Sequence, residues 1–175
     1  MAEPSIAVSM KIQVGGLSEG IHEFQFSAEG SVLDLEFASL VSVHVSLEKA
    51  GSQIFLTGTV QTEGTFTCDR CLASFTRPLS STYRMYYLFD SAEAGRFDPA
   101  EVQVISTSLS IIDITDDVRQ TLLLAVPLKL VCSETCKGLC PTCGTNWNLE
   151  VCDCHEEVAD PRWEELKKFR DTDSR

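Results

Sequence analysis

The feature that most constrains this chain is the concentration of cysteine in its last third. Six of the eight cysteines lie between Cys132 and His155, in the segment CSETCKGLCPTCGTNWNLEVCDCH, and the other two are Cys68 and Cys71 in TCDRCL. Close-spaced cysteines in an intracellular chain most often bind zinc. The sequence therefore predicts that all eight cysteines are metal ligands.

The cysteines fall into four closely spaced pairs: Cys68/Cys71, Cys132/Cys136, Cys140/Cys143 and Cys152/Cys154. One turn of backbone can present two such thiolates, and zinc takes four ligands in a tetrahedron, so four pairs predict two Zn²⁺ ions. The third and fourth pairs predict a compact local site of the zinc-knuckle kind, with Gly144 allowing the backbone to turn. The first two pairs predict a site between distant segments. A permuted arrangement, with the six C-terminal cysteines around one or two ions, stays open.

Other interpretations of these residues are weaker. A thioredoxin-type C-x-x-C opens a helix after a strand, whereas the LASFTRP that follows Cys71 is a poor helix. Disulfides are disfavoured in a reducing compartment. His155 adjoins Cys154 and could replace a ligand, but a solvent-exposed histidine is the favoured interpretation.

Nothing in the sequence favours catalysis. Catalytic zinc keeps an open position and usually employs a histidine or a carboxylate with a nearby general base, whereas four cysteines close the site. The zinc-deaminase pattern, the phosphate-binding loop and the dinucleotide fingerprint are absent. A G-x-S-x-G string occurs at residues 16–20, but it lies between two predicted strands and not on the strand-to-helix turn that a nucleophilic serine needs. The metal is thus predicted to be structural. A metal-dependent or thiol-dependent enzyme is the alternative, and it would require an accessible Cys68 thiolate of low pKa.

The start of the chain and its hydropathy predict a soluble, cytoplasmic protein. MAEPSIAVSMKIQV has no basic segment followed by an apolar one, so no export signal is recognised. The richest apolar run, from Thr121 to Val131, is too short for a membrane span and is broken by Pro127 and Lys129. No small-molecule substrate is evident from the sequence.

The net charge of −12 makes the surface as a whole unsuited to nucleic acid. Two Cys₄ zinc sites would each add about −2, giving roughly −16. Only residues 64–84 and 118–147, which carry six of the eight cysteines, have a positive balance, each of +2. Any RNA contact is therefore predicted at five of the six cations of these two segments, which are Arg70, Arg77, Arg84, Lys129 and Lys137.

The N-terminal half alternates apolar and polar residues, as strands do. Val41 to Leu47 and Ile54 to Val60, joined by a turn at residues 50–52, predict a hairpin. Lys11 to Val14 and His22 to Phe26 are shorter candidate strands. Ser81 to Phe89 is aromatic on both faces and so predicts either a central strand or a strand covered on its second side, and an acidic loop follows it.

Helical spacing begins at Thr115, a predicted N-cap, and stops at Pro127. A second helix is predicted from Asp160, with Pro161 in its first turn. The expected class is α+β: an antiparallel sheet with a packed helix, then a zinc-knuckle segment and a short terminal helix. Residues 1–131 form the predicted core, and residues 132–175 the metal-binding segment with its helix.

These motifs together resemble one family. C-x-R-C-L at Cys68, LLLAVPLKLVC, C-K-G-L-C-P-x-C-G-x-N-x-N and the closing D-P-R-W-x-x-L are similar, in this order from Val41 to Phe169, to the YceD/DUF177 family of bacteria and plastids. The resemblance implies a role in the accumulation of large-subunit ribosomal RNA and a place in ribosome assembly. It supplies no catalytic residues.

Two hypotheses follow for the function. The first is a non-enzymatic zinc-binding assembly factor, whose acidic body attracts a basic ribosomal protein and whose weakly basic cysteine segments touch ribosomal RNA. The second is the metal-dependent or thiol-dependent enzyme. We favour the first.

Overall fold

Strands of alternating apolar and polar residues make up most of the protein, as the sequence predicts. The computed structural model describes residues 10–89, 91–99, 101–105 and 111–154. The strands are β1 (Lys11–Gln13), β2 (Gly20–Glu29), β3 (Ala38–Ala50), β4 (Gln53–Thr67), β5 (Ser74–Leu88), β6 (Val102–Val104) and β7 (Ile111–Asp113); the helices are α1 (Ser91–Ala94) and α2 (Thr115–Ala125). His155 and the helix predicted from Asp160 lie outside the described residues.

The larger sheet has five strands in the order β2-β3-β4-β5-β6. The predicted hairpin is confirmed: β3 pairs antiparallel with β4 through Val43 opposite Val60 and Leu47 opposite Leu56. The last strand, β6, runs parallel to β5, so the predicted antiparallel sheet is in fact mixed. A separate two-stranded ribbon pairs β1 with β7.

One face of the sheet carries the core. Alternate residues of β3 and β4 are fully buried there against Ile12 of β1, Ile112 of β7 and Leu122 of α2. Burial of aliphatic side chains on one face is what the period-two pattern dictates. The opposite face of β3 and β4 is polar and faces solvent over most of its length. The sequence thus forms a single layered core under the sheet.

Helix α2 begins at Thr115, but the predicted N-cap role of this residue is wrong. The hydroxyl of Thr115 donates to Asp113 Oδ1 at 2.6 Å and accepts the backbone N–H of Met10 at 2.9 Å, so it is not free to cap the first turn. Instead, Asp113 accepts the N–H of Thr115 at 3.0 Å. Asp116 and Asp117 occupy the first turn, where the helix dipole favours acidic groups.

Strand β5 is longer than predicted, because it starts at Ser74 and not at Ser81. Proline lacks an N–H for the ladder, so Pro78 argues against a central strand. The structure resolves the conflict, since β6 pairs only with residues from Tyr86 to Leu88. Around Pro78, β5 has no second neighbour among the described strands, so proline is tolerated there. The predicted strand at 81–89 is confirmed for residues 81–88, but only Tyr86 to Leu88 lie between β4 and β6.

Among the described residues, no helix is both long enough and apolar enough to span a bilayer.

Candidate metal centres

The first cysteine group begins where β4 leaves the sheet. Cys68 follows the last residue of β4, and the chain turns at once, with the N–H of Leu72 donating to the carbonyl of Cys68 at 2.9 Å. Leu72 takes a left-handed conformation with φ of 57°, and the N–H of Cys68 reaches the carbonyl of Ala73 at 2.9 Å. This tight loop places Cys68 and Cys71 on the same side.

The chain that leaves α2 is fastened to this loop. The N–H of Asp69 donates to the carbonyl of Leu130 at 2.7 Å, and the carboxylate of Asp69 accepts the N–H of Leu130 at 2.6 Å. The guanidinium of Arg70 donates to the carbonyls of Glu134 and Cys136, at 3.3 and 2.9 Å. These contacts bring Cys132 and Cys136 over the first pair.

The four sulfurs of this first group suit a tetrahedral ion. Cys68 Sγ lies 3.9 Å from Cys136 Sγ, Cys71 Sγ lies 3.7 Å from Cys132 Sγ, and all four lie within 4.8 Å of one another. A zinc ion with Zn–S bonds of about 2.3 Å requires sulfurs about 3.8 Å apart. The measured spacing fits, and no disulfide joins any of the eight cysteines.

Cys140, Cys143, Cys152 and Cys154 form the second group, and their sulfurs also lie within 4.8 Å of one another. The backbone N–H of Cys140 donates to the carbonyl of Thr145 at 2.8 Å, and the backbone N–H of Gly144 donates to the carbonyl of Cys140 at 2.9 Å. These two hydrogen bonds close a knuckle-like turn. The indole N–H of Trp147 donates to Cys152 Sγ at 3.3 Å. The spacing thus predicted both groupings, and the permuted arrangement is not the one found.

Within the first group, the pKa values of the thiols are shifted in opposite directions. Burial raises the pKa of Cys68, but hydrogen bonds from the backbone of Cys132, Cys71 and Arg70 outweigh it and lower that pKa to about 6. The hydrogen bond with Cys136 raises the pKa of Cys132 to about 12. One thiolate is therefore stabilised while a neighbouring thiol keeps its proton.

The second group repeats this pattern. Hydrogen bonds from the hydroxyl and the N–H of Thr145 lower the pKa of Cys143 to about 6, while the hydrogen bond with Cys143 raises that of Cys154 to about 12. A divalent cation that binds either group must displace the protons that remain. Metal affinity at both groups is therefore expected to increase with pH.

Asn148 connects the two groups, and the sequence analysis did not single it out. The side-chain NH₂ of Asn148 donates to Cys136 Sγ at 3.3 Å and to Asn146 Oδ1 at 2.8 Å. Its side-chain oxygen, Oδ1, accepts the backbone N–H of Lys137 at 2.8 Å. An N–H donor to a thiolate sulfur orients the ligand and stabilises its charge. The signal was the N-x-N spacing at residues 146–148, since asparagine can satisfy local backbone groups in this way.

The five predicted RNA contacts do not share one surface. All are exposed, but Arg77 and Arg84 stand on opposite faces of β5, opposite Gly64 and Thr57 of β4 respectively. The guanidinium of Arg70 is occupied by the carbonyls of the first group. Lys129 lies between α2 and the first group, and Lys137 follows Cys136. Their contact with RNA stays a prediction.

Cys68 lacks the solvent exposure that a nucleophile needs. The pKa of Cys68 is low, but its side chain is 0% exposed and packs with Cys71, Cys136 and Phe75. A buried thiolate among three other sulfurs has the environment of a ligand more than that of a nucleophile.

A cavity of about 720 Å³ lies away from both groups. Its lining includes Glu29, Asp34 and Leu40, beside the end of β2. No cysteine lines it. The two cysteine groups and this cavity are therefore separate features.

Comparison with known proteins places this arrangement in a family. An uncharacterized protein of Mycobacterium tuberculosis is 29% identical over 140 residues, covering 77% of this chain and 64% of its own length. The Bacillus subtilis protein YlbN is 26% identical over 137 residues, covering 78% of this chain and 77% of its own. No solved structure was found to match.

The name of a plant relative includes a role. The chloroplastic large ribosomal RNA subunit accumulation protein YCED homolog 1 of Arabidopsis thaliana is 24% identical over 191 residues, covering 92% of this chain and 60% of its own length. This chain thus spans less than two thirds of the mycobacterial and plant relatives. The family model described as large ribosomal RNA subunit accumulation protein YceD matches residues 56–170, which include all eight cysteines. The chain belongs to the YceD family.

Proposed function

We propose that this protein is a non-enzymatic factor in the accumulation of large-subunit ribosomal RNA, acting in the cytoplasm and held in shape by two structural Zn²⁺ ions. The observation that carries the proposal is the pair of four-cysteine groups, both inside the segment that matches the family. The family name and the plant relative support the link to ribosomal RNA.

Zinc suits both groups better than other common ions do. Soft thiolates select zinc over magnesium or calcium, and four of them fill its tetrahedron. A filled tetrahedron leaves no position for a water or a substrate, so the ion would tether chain segments. The first group would join the end of β4 to the chain after α2, and the second would close residues 140–154 on themselves.

Metal analysis tests the cofactor. Protein purified without added metal is expected to contain two zinc ions per chain by inductively coupled plasma mass spectrometry. Cys68→Ser and Cys143→Ser are each expected to contain one, because each removes a ligand from a different group. Thr142→Ala, an exposed change between two cysteines, is the control and should keep both ions. One ion or none in the unaltered protein would contradict the proposal.

Ribosomal RNA levels test the role. In cells whose own copy is deleted, the unaltered chain is expected to restore the ratio of large-subunit to small-subunit ribosomal RNA, and Cys68→Ser is expected to fail. Thr142→Ala should restore it fully. A normal ratio in the deletion strain, or full rescue by a Cys68→Ser protein that has lost its zinc, would overturn the link between these sites and the RNA.

The direct partner requires its own experiment. The acidic body favours a basic ribosomal protein, whereas Arg77, Arg84, Lys129 and Lys137 are the cations available for phosphate. A tagged chain is isolated from cells with and without nuclease, and the bound material is identified. Material that nuclease removes, and that is lost when these four cations become glutamine, would be held through RNA. Arg70 belongs to the predicted set but is tested separately as Arg70→Lys, because it also fastens the first group.

One observation favours the alternative thiol enzyme. Cys143 is exposed and its pKa is lowered to about 6, which are properties of a reactive thiolate. Alkylation by iodoacetamide separates the two roles. If Cys143 is a ligand, zinc-loaded protein reacts slowly and metal-free protein quickly; equal rapid reaction in both would support the enzyme.

A further inference from the structure

We propose that β2 is a docking edge for an extended segment of a basic protein that alternates apolar with Lys or Arg side chains. The bound segment adds to the sheet as a further strand next to β2, and one of its cations enters the acidic cavity at the end of β2. The inference deepens the proposed function, on which it depends for naming that partner as ribosomal.

The first observation is an open edge. β2 is the outermost of the five strands and is ten residues long, and no other described strand pairs with its free side. The other outermost strand, β6, is only three residues long. Natural sheets usually protect such edges with proline, lysine or shortness, and GIHEFQFSAE has none of these. Free backbone donors and acceptors along β2 therefore suit strand addition.

The second observation is that the two faces of β2 differ in chemistry. Phe24 and Phe26 are half-buried on the core side and leave part of each ring at the edge. Glu23, Gln25 and Glu29 point to the opposite, solvent side. Since side chains alternate along a strand, an added segment would place apolar residues beside the two phenylalanines and its alternate residues beside the two glutamates.

The charge of the region selects cations. Residues 19–40 contain five carboxylates and no lysine or arginine. The carboxylate of Glu23 lies 3.3 Å from the imidazole of His44 on β3, which balances its charge only in part. Lys49 lies opposite the N-terminal end of β2, away from the cavity, and its ammonium donates to the carbonyl of Leu17. Such a field attracts a Lys/Arg segment and repels nucleic acid. It also opposes pairing of β2 with β2 of a second copy, because acidic residues would meet acidic residues.

The acidic cavity lies at one end of β2, beside the start of β3. It holds about 720 Å³ at the C-terminal end of β2, where Glu29 pairs with Leu40 of β3. Three carboxylates line it, those of Glu29, Asp34 and Glu36, together with the apolar Leu35 and Leu40. Leu40 is 55% exposed. Carboxylates around an apolar wall match the aliphatic stem and cationic head of lysine or arginine.

The probe is a fluorescent ten-residue peptide of alternating valine and lysine, titrated with the full-length, zinc-loaded protein and followed by anisotropy. An alternating valine and glutamate peptide is the control ligand. We expect the lysine peptide to bind, the glutamate peptide not to bind, and hydrogen exchange to slow across Gly20–Glu29 on binding. Absence of binding by the lysine peptide, or protection confined to other strands, would overturn the proposal.

A charge-matched pair of variants separates this site from general attraction. Glu29→Gln, Asp34→Asn and Glu36→Gln together remove the carboxylates of the cavity, and asparagine tolerates the left-handed φ of 53° at Asp34. Glu101→Gln, Glu134→Gln and Glu150→Gln remove three exposed carboxylates elsewhere. The first set should weaken binding roughly tenfold and the second less than about twofold, because nearby charges dominate at moderate salt. Equal weakening would mean attraction without a site.

Two further readouts complete the experiment. Sedimentation of the free protein is expected to show a monomer with freely exchanging β2 amides; a dimer with protected β2 amides would assign the edge to a second copy and overturn the proposal. The ratio of ribosomal RNAs is measured separately in cells that carry the cavity variant. Loss of peptide binding with normal ribosomal RNA would remove the ribosomal partner and leave the proposed function standing on the cysteine variants.

Discussion

The two cysteine groups have the same ligand set but differ in how they depend on the rest of the fold. In the first, three of the four side chains are buried, and the pairs come from segments separated by the whole of β5 and α2. In the second, one of the four is buried, and all come from residues 140–154. The first group is therefore a part of the core, whereas the second is a closed loop attached beside it.

If both groups bind an ion, as proposed, the same four-cysteine set would stabilise the fold in two different ways. Cys68, Cys71 and Cys136 pack with Phe75, Val131 and Leu139, so loss of an ion there exposes an apolar cluster. Loss of an ion from the second group frees mostly exposed chain, including Leu149 and Val151. Four predictions test the comparison, beginning with the largest expected effect.

Replacement of one ligand in each group should give unequal losses of thermal stability. Cys68→Ser is expected to lower Tm by about 10 °C or more and Cys143→Ser by less than about 5 °C, because only the first change disconnects the sheet from the chain after α2. Differential scanning calorimetry of zinc-loaded proteins measures both. Thr142→Ala should leave Tm unchanged. Equal losses would show that the two groups support the fold alike.

The two glycines with positive φ near the groups provide a matched pair. Gly138 has φ of 79° and an added Cβ would lie 3.2 Å from the carbonyl oxygen of Arg70; Gly144 has φ of 75° and open space around it. Gly144→Ala is expected to cost only the left-handed backbone, about 1–2 kcal/mol. Gly138→Ala should cost about 2–3 kcal/mol, because it also displaces the loop that holds the first group. Urea unfolding measures the free energy of unfolding of both variants, and equal losses would contradict this prediction.

The ions should leave at different rates. With an excess of a colorimetric zinc chelator, which both takes up and reports the released ion, we expect one ion per chain to leave roughly tenfold faster than the other, since exposed segments open at lower free energy than core segments do. The fast phase is assigned to residues 140–154. Cys143→Ser, which lacks that ion, should show the slow phase alone. A slow phase that disappears in Cys143→Ser would reverse the assignment.

The smallest effect is expected at the link between the groups. Asn148→Ala removes the amide that donates to Cys136 Sγ and the carbonyl that accepts from Lys137, and should lower the free energy of unfolding by about 1 kcal/mol. It should also speed loss of the slow ion more than that of the fast one. Unchanged rates would show that the two groups act independently.

Much of the sheet and both cysteine groupings were accessible from the sequence. The alternation around Val43 and Leu56 specifies one buried face, and this face fixes the register of the hairpin. The spacing of the cysteines specifies which pairs share a turn. Both signals are local, so neighbouring residues are enough to interpret them.

What the sequence did not predict depends on residues that are distant in the chain. β1 pairs with β7 about one hundred positions later, as in Ile12 opposite Ile112, and three-residue strands carry too little pattern to indicate a partner. Pro78 is unfavourable in a central strand, so the sequence around it does not indicate the first half of β5. Proline is acceptable there because β6 is short and pairs only with the last residues of β5. Asp69 and Asn148 lie in loops, and their roles come from hydrogen bonds to other segments of the chain. The neighbouring sequence does not indicate these contacts.

The reach of the first group has a consequence for biosynthesis. Cys68 and Cys71 leave the ribosome long before Cys132 and Cys136, and two thiolates alone do not complete a zinc tetrahedron. The last two strands of the large sheet, β5 and β6, and helix α2 are translated during that interval. If the first group binds zinc as proposed, its site stays incomplete until translation has passed residue 136, so zinc capture there would come only after every strand of the large sheet has been translated.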